Sequence, residues 1–405
     1  MRWFHSRHVT VLDQIASSAS NFLLVAVVAH VSAPASFGQF SLAYVVLIFF
    51  LGLQRALIGE VLLVRFSAVD ADTVAFRPPV GLALVVGMVG LAVLVGGAVL
   101  TPQASGVWLA LSLSMPAVLL QDVLRYVFIC RKLSGFAFLL DAVWAVLSIG
   151  AMLILAATGF GTVAIIAAWI GGALVAAVLG LVLTRAVPQP IAGIRWFVAN
   201  RDLSIRFSAE YASLNASTAL VWFGLAGPLG SVGVAALRGA SLLFSPLNTA
   251  FNAVRIAMIP ELVRLRGSQR YRRGLLETGA ILGGLAVVWG LVVLFLPDSA
   301  GRLLLGATWD EAKGLRLPNF VQSLAMVGYT VLLSYFRSSS LHSLSSRMRA
   351  VLAALTLALP LAAAVLFGVQ GSAWGFAVAV GVACLSGLVL VRRSGPGPEA
   401  GGAVR

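Results

Sequence analysis

The chain has 405 residues, of which 60% are hydrophobic and 10% charged, and its mean hydropathy is +1.00. Soluble domains carry about a quarter charged residues, so this composition excludes a soluble protein and predicts an integral membrane protein. The net charge of +14 is better explained by Lys and Arg on cytoplasmic loops than by nucleic-acid binding. Cys130 and Cys384 offer neither a disulfide framework nor a metal-binding spacing.

Twelve apolar stretches are long enough to cross the hydrocarbon core, which needs about 20 helical residues. They cover residues 11–31, 37–62, 79–100, 106–129, 135–157, 161–184, 204–226, 232–258, 275–296, 317–337, 349–368 and 371–391. No alternating strand pattern competes with them. The predicted fold class is therefore an all-α integral membrane protein with about twelve transmembrane helices.

Charge alternates along the connections between these spans. Five connections carry no charge, at 32–36, 101–105, 158–159, 227–231 and 368–371. The connections between them hold clustered arginines, so the positive-inside rule places both termini in the cytoplasm. The one long outer loop, 297–318, mixes charge signs, and its leucines at 303–305 together with Trp309 predict a short interfacial helix.

The two halves of the chain carry matched landmarks in the same order. The run Gln14-Ile-Ala-Ser has a counterpart that begins at Glu210, and Arg55-Ala-Leu-Ile-Gly-Glu has one that begins at Arg255. Each half has an even number of spans, so a duplication would give parallel repeats around an axis along the membrane normal. Two such bundles leave a central cleft, where transporters of this kind bind substrate.

Four regions follow from this repeat. We predict an N-terminal six-helix bundle at 1–184, a cytoplasmic linker at 185–203, a C-terminal six-helix bundle at 204–391 and a disordered tail at 392–405. The linker contains a candidate surface helix at 188–200. The tail is assigned from its Gly/Pro-rich composition.

Polar residues follow one face of the first predicted span. On a helix they fall within slightly less than half the circumference: Asp13, Gln14, Ser17, Ser18, Ser20 and Asn21. A polar face in a membrane needs a partner helix or a water-filled cavity. We expect this face and a weaker counterpart at Glu210 and Asn215 to line the cleft. The alternative is that the serines are small residues that let helices pack closely.

Arginines within spans are candidates for binding an anionic substrate. Arg55 and Arg255 each lie about one turn before a glutamate, and the alternative for each is an Arg–Glu pair that fixes a helix end. Arg238 lies about two turns from the outer side of its span and is the best single candidate, although it could instead snorkel to the interface.

Three charged residues from two consecutive spans form a second group of candidates. Asp122 and Arg125 share a helix face, and Asp141 opens the next span. Together with Asp13 they are candidates for ion or proton coupling. The alternatives are a structural ion network between the two spans and, for Asp13, an acidic group favoured at a helix N-terminus.

Two prolines, Pro116 and Pro246, are predicted to lie in the middle of spans, where a proline bends a helix and frees a carbonyl. Asn248 and Asn252 follow the second proline and join the candidate cavity residues. Such a bend suits a hinge between inward- and outward-facing states, and a static kink has the same sequence pattern.

Several chemical motifs are missing. The chain has no GxxxxGK[ST] run, no HExxH run and no cluster of Cys and His. We therefore predict no catalytic residue, no metal site and no cofactor.

Short motifs along most of the chain resemble one family. The runs Leu12-Asp-Gln-x-x-Ser-Ser-x-x-Asn-Phe, Phe37-Gly38 and Arg55-Ala-Leu-x-Gly-Glu60 are similar to the N-terminal region of bacterial polysaccharide and O-antigen flippases. This family belongs to the MATE-like multidrug/oligosaccharidyl-lipid/polysaccharide (MOP) exporter superfamily. Gln121-Asp122-x-x-Arg125-Tyr126 with Asp141 resembles its fourth and fifth helices, and Leu305-Gly306-x-x-Trp309 resembles its outer loop after the ninth helix. Val61 departs from the family pattern, which has proline there.

The resemblance implies a V-shaped two-bundle fold that works by alternating access. It also implies transport of an isoprenoid-pyrophosphate-linked glycan from the cytoplasmic to the outer leaflet of a bacterial plasma membrane. The expected partners are membrane lipid and the lipid-linked glycan, with a glycan polymerase or glycosyltransferases as candidate protein partners and no nucleic acid.

Three other functions are compatible with the sequence. A MATE-like drug/cation antiporter would prefer a cavity whose acids outnumber its bases. A membrane glycan polymerase or ligase needs a sizeable outer loop with catalytic residues, and 297–318 is short for that role. A scaffold without a substrate would tolerate loss of Arg238.

The predicted topology can be tested with single cysteines that are labelled from outside the cell by a membrane-impermeant reagent. Ser105→Cys should react and Ser268→Cys should not, because the first is predicted to be outside and the second in the cytoplasm. The reverse labelling pattern would exclude this topology.

Overall fold

The computed structural model describes residues 22–67, 75–266, 268 and 270–393. All regular secondary structure in these residues is helical, and the predicted all-α class is confirmed. The predicted cavity residues Asp13, Gln14, Ser17 and Asn21 lie outside the described residues, and so does the predicted tail from 394 onward.

The helices follow the predicted spans in chain order. They are α1 (Phe22–Val31), α2 (Pro34–Phe66), α3 (Arg77–Leu100), α4 (Ser105–Cys130), α5 (Ser134–Ala157), α6 (Thr162–Thr184), α7 (Pro190–Ala199), α8 (201–229), α9 (231–243), α10 (Ser245–Leu265), α11 (Arg270–Leu294), α12 (Asp298–Leu305), α13 (Thr308–Ala312), α14 (Arg316–Ser338), α15 (342–367) and α16 (369–393).

Nine helical segments in the described ranges are long and apolar enough to cross a membrane. Two of the nine contain a glycine at which the backbone leaves the helix, Gly230 with φ 63° and Gly368 with φ 64°. Glycine adopts a positive φ without the clash that costs other residues about 1–2 kcal/mol. The uncharged connections predicted at 227–231 and 368–371 are therefore breaks of a single residue between consecutive helices.

Two details of the prediction are wrong. Pro246 lies in the first turn of α10 rather than in mid-helix, because the chain breaks at Phe244. Its missing N–H removes no hydrogen bond there, so it does not bend a helix. The short helix predicted in the outer loop is present as α12, but Trp309 lies beyond it in α13 and is fully buried, and its indole N–H donates to Oδ1 of Asp298 at 2.9 Å. Pro116 does lie inside α4.

The chain separates into two compact units, 1–219 with 304–308 and 220–303 with 309–405. The predicted linker falls within the first unit, and its helix α7 packs along α3. A Cβ atom at Gly193 would lie 2.5 Å from the backbone N of Leu82, so glycine allows this close approach. The limits predicted for the two six-helix bundles stay predictions.

Each unit has its own apolar core. In the first unit, fully buried side chains of α2, α4 and α5 pack together: Ile58, Leu62, Val123, Val127 and Leu140. In the second unit the core joins α14, α15 and α16 through Leu333, Phe336, Met348, Val380 and Ala383. Lipid is as apolar as these side chains, so close packing rather than the hydrophobic effect holds the helices together.

Replacing Gly81 with alanine should destabilise the contact between α3 and α7. A Cβ there would lie 2.2 Å from the backbone oxygen of Gln189, and overpacking of this kind costs about 1–3 kcal/mol. The matched control is Gly96→Ala in the same helix, where a Cβ meets nothing within 4 Å and alanine stabilises the helix by about 0.5–1 kcal/mol. Melting temperatures in one detergent measure both. A Gly81→Ala variant that melts at or above Gly96→Ala would contradict this packing.

Candidate functional site

Helix α2 contains a π-helical turn at Arg55–Gly59. Such turns are rare and occur often at functional sites. Gly59 lies against the ring of Tyr126, which a Cβ would approach to 2.8 Å, so glycine lets α2 and α4 meet closely at this turn. Arg55 is the first residue of the turn, and its side chain points to α4.

Arg55 is held by Asp122 of α4. Its Nε donates to both carboxylate oxygens at 3.1 Å, and its Nη2 donates to Oδ1 at 2.7 Å. The Asp122 side chain is 2% exposed, whereas that of Arg55 is 38% exposed. Two parallel N–H bonds from a guanidinium to a carboxylate form a strong and geometrically fixed pair. Arg55 was predicted to pair with Glu60 or to bind phosphate, and the pair with Glu60 is not formed.

The ion pair continues into α5. Arg125 contacts Asp122 through Nη1 at 3.2 Å and Asp141 through Nε at 2.8 Å. Gln121 donates from Nε2 to Oδ1 of Asp141 at 2.8 Å. The structure thus brings together the three charged residues predicted from consecutive spans and adds Arg55 to them. We call Arg55, Asp122, Arg125 and Asp141 the Arg55 cluster, and its formal charges cancel.

The guanidinium of Arg55 keeps one edge for a further ligand. Arginine has five N–H donors in a planar fork, and Asp122 is bound by Nε and Nη2. In the described residues, no hydrogen bond is made by Nη1. The edge formed by Nη1 and the second proton of Nη2 can therefore donate two parallel bonds to an oxyanion while Asp122 stays bound.

Two tyrosines lie near Arg55, and two glutamates of the same unit lie near each other. Tyr126 and Tyr211 both interact electrostatically with it, and Tyr211 packs against Gly52 of α2. Glu60 and Glu210 are exposed and lie within electrostatic range of each other. The other predicted polar residue of α8, Asn215, donates from its amide to the backbone oxygen of Tyr211 at 2.9 Å.

The candidates in the second unit form no comparable ion cluster among the side chains that the structure describes. The guanidinium of Arg238 lies over the ring of Trp222, 5.2 Å from its centroid, and the side chain is half-buried. Trp222 also contacts Phe376, with ring centroids 6.0 Å apart. Asn248 is exposed.

Helix α10 carries three of the predicted cavity residues. The side chains of Asn252 and Arg255 are not among the described side chains. Glu261 pairs with Arg264, one turn further along the helix, and the alternative pairing of Glu261 with Arg255 stays a prediction. The roles predicted for Asn248, Asn252 and Arg255 stay predictions.

Gln54 is a polar residue that the sequence reasoning missed. It is fully buried immediately before the π turn, and neither its amide nitrogen nor its amide oxygen has a hydrogen-bond partner among the residues that the structure describes. A buried amide without partners costs about 1–3 kcal/mol by mutational data. The sequence does contain a signal for Gln54, since this glutamine interrupts an apolar run one residue before Arg55.

No group of three or more His, Cys, Asp or Glu side chains in the described ranges could hold a metal ion.

Comparisons with known proteins identify the fold. No protein-family model matches the chain, and no curated protein matches it in sequence. Among solved structures, an inward-facing multidrug resistance MATE family transporter of the MOP superfamily superposes with a TM-score of 0.72 at 13% identity. The match covers 95% of this chain and 98% of that one.

Two further solved structures are similar. The lipid II flippase MurJ in an inward closed conformation gives a TM-score of 0.66 at 11% identity, over 95% of this chain and 87% of that one. A MOP superfamily transporter from Pyrococcus furiosus, with a binding pocket described as reversed in polarity, gives 0.54 at 12% identity, over 95% and 93%. These structures are transporters and a flippase rather than enzymes. The chain therefore has the fold of MOP-superfamily transporters.

Two buried glutamines provide a matched test of the hydrogen bonds around Arg55. Gln54→Met should raise the free energy of unfolding by about 1–3 kcal/mol, because it removes a buried amide that has no hydrogen-bond partner in the described ranges. Gln121→Met should lower it by a similar amount, because Asp141 loses a donor at 2.8 Å. Thermal unfolding in detergent measures both. If the two variants lose equal stability, Gln54 has a partner and the assignment is wrong.

Proposed function

We propose that this chain is a MOP-superfamily transporter that moves an isoprenoid-pyrophosphate-linked oligosaccharide or polysaccharide from the cytoplasmic to the outer leaflet by alternating access. The observation that carries the proposal is the exposure and hydrogen bonding of Arg55. It is a partly exposed arginine inside an apolar helix, with one donor edge left for an anion.

The accessible charge of the Arg55 cluster is cationic. Its two carboxylates are 2% and 3% exposed and are bound to arginines, whereas the side chain of Arg55 is 38% exposed. A ligand that reaches the cluster therefore meets a guanidinium rather than a carboxylate. Guanidinium groups bind phosphate bidentately, which suits a pyrophosphate better than a cationic drug.

A lipid-linked substrate is supported by the fold, since one structure with a similar fold is a lipid II flippase. We place the protein in the bacterial plasma membrane with both termini in the cytoplasm. The lipid-linked glycan is its substrate, and Arg238 on the face of Trp222 is a second candidate contact for it.

A drug/cation antiporter is the second candidate, and a specific observation favours it. Glu60 and Glu210 are exposed and close enough to interact. Two neighbouring carboxylates could attract a cationic substrate or exchange ion. Similarity to a MATE transporter supports this candidate as well.

The test is flipping of a fluorescent isoprenoid-pyrophosphate disaccharide in proteoliposomes. Wild-type protein should accelerate flipping, and Arg55→Ala should lower the rate by about tenfold or more, because a charge-assisted bidentate contact is lost. Arg273→Ala is the matched control, because Arg273 is 81% exposed and pairs with Glu277 on the surface, where such pairs contribute little. It should flip like wild type.

Two outcomes would exclude the flippase. One is the absence of protein-dependent flipping together with ion-coupled efflux of a cationic dye, which would favour the antiporter. The other is equal flipping by Arg55→Ala and wild type, which would remove the observation that carries the proposal.

A further inference from the structure

In the Arg55 cluster, the most exposed arginine also makes the shortest contact with a carboxylate. Arg55 is the most exposed member of the cluster, and its Nη2 lies 2.7 Å from Asp122. A site that only attracts anions would gain from an uncompensated guanidinium. The carboxylate of Asp122, which is bound to Arg55, must therefore have a role other than attracting the anion.

We propose that Asp122 sets the affinity of Arg55 for its anion. Its carboxylate occupies the Nε edge of the guanidinium and weakens the binding of a pyrophosphate at the Nη1 edge, so that the substrate can be released after it has crossed. This inference rests on the proposed function, which supplies the anion.

The position of Asp122 makes its charge effective at the neighbouring edge. The carboxylate is 2% exposed, so little water or salt lies around it to screen its field. An anion on the opposite edge of the same planar group stays within a few ångströms of it. Like charges at that distance repel strongly in the low-dielectric interior.

Asp122 is also prevented from turning away. Arg125 binds its Oδ1 at 3.2 Å and is itself bound to Asp141 at 2.8 Å. Asp141 in turn accepts a hydrogen bond from Gln121. Arg125, which is 14% exposed, serves to position the counter-ion of Arg55.

The chain supplies a matched pair of carboxylates for the test. Asp122→Asn and Asp141→Asn change the same residue type, at similar burial, and both leave the cluster with a formal charge of +1. Only Asp122 contacts Arg55, whereas Asp141 contacts Arg125 and Gln121. A general gain of positive charge predicts equal effects, and a direct counter-ion predicts unequal ones.

The measurement is binding of farnesyl pyrophosphate to the purified full-length protein in detergent, with farnesol as the uncharged probe. Asp122→Asn should bind the pyrophosphate about tenfold more tightly than wild type, and Asp141→Asn should stay within about threefold of wild type. Farnesol binding should not change. In proteoliposomes Asp122→Asn should show a lower maximal flipping rate, since release becomes slow.

Unchanged or weaker pyrophosphate binding by Asp122→Asn would overturn the inference, and so would equal tightening by Asp141→Asn. If Asp122→Asn does not fold, the double variant Asp122→Asn/Arg125→Gln is the test. It keeps the cluster neutral and removes the counter-ion of Arg55, so it should still bind the pyrophosphate more tightly than wild type. Unchanged or weaker binding by the double variant would also overturn the inference.

Failure of the proposed function gives a different result. If the variants bind farnesyl pyrophosphate as expected but wild-type protein flips no glycan lipid, the role of Asp122 is supported and the proposed flippase function is rejected. If neither wild type nor any variant binds the pyrophosphate, the proposed role of Asp122 is rejected, whatever the result of the flipping assay.

Discussion

The ion pair between Arg55 and Asp122 is the contact on which the rest of the candidate site depends. A charged side chain in the bilayer costs at least a few kcal/mol, and a carboxylate buried without a partner costs more. Asp122 is tolerated at 2% exposure because two guanidinium groups bind it, and Asp141 is tolerated because Arg125 and Gln121 bind it. Removing one member leaves another charge uncompensated, so the four residues form one electrostatic unit.

The backbone of α2 is shaped to make this pair. A π turn includes one more residue than an α turn and so changes the direction of the side chains that follow it. The turn begins at Arg55, and its last residue, Gly59, allows α2 to approach the ring of Tyr126 on α4. Close approach of two helices by way of small residues is the usual means of packing in membranes. Here the same approach brings a guanidinium on one helix to a carboxylate on the other.

The sequence was sufficient for the fold and for part of the site. Long apolar runs locate helices well, because a lipid-exposed segment has to satisfy its own backbone hydrogen bonds. The spacing of Asp122 and Arg125 also placed them on one face. The partner of Arg55 could not be found in this way, because Asp122 is 67 residues away along the chain and Glu60 is closer in sequence. Local spacing favoured the near carboxylate, and the π turn together with packing of α2 on α4 selected the distant one.

Trp309 and Pro246 illustrate the same limit. An outer-loop tryptophan is typical of an interface, but Trp309 is enclosed by its own loop, with Asp298 at its indole N–H and Gly301 against its rings. A proline within an apolar run predicts a kink, but the helix is interrupted at Phe244, so Pro246 lies in the first turn of α10. In each case a contact or a backbone angle that the local pattern does not encode decided the outcome.

Departures from the rules of membrane helices are concentrated in one short stretch of α2. Within residues 54–60 lie a buried amide without a hydrogen bond to any described residue, a π turn, an arginine paired inside an apolar helix and an exposed glutamate. Each of these is unfavourable or unusual alone, whereas the apolar cores of both units follow ordinary packing. Natural sequences keep such local conflicts mainly where function needs them. The stretch of α2 that departs from ordinary helix packing is thus also the stretch that carries the partly exposed guanidinium of Arg55.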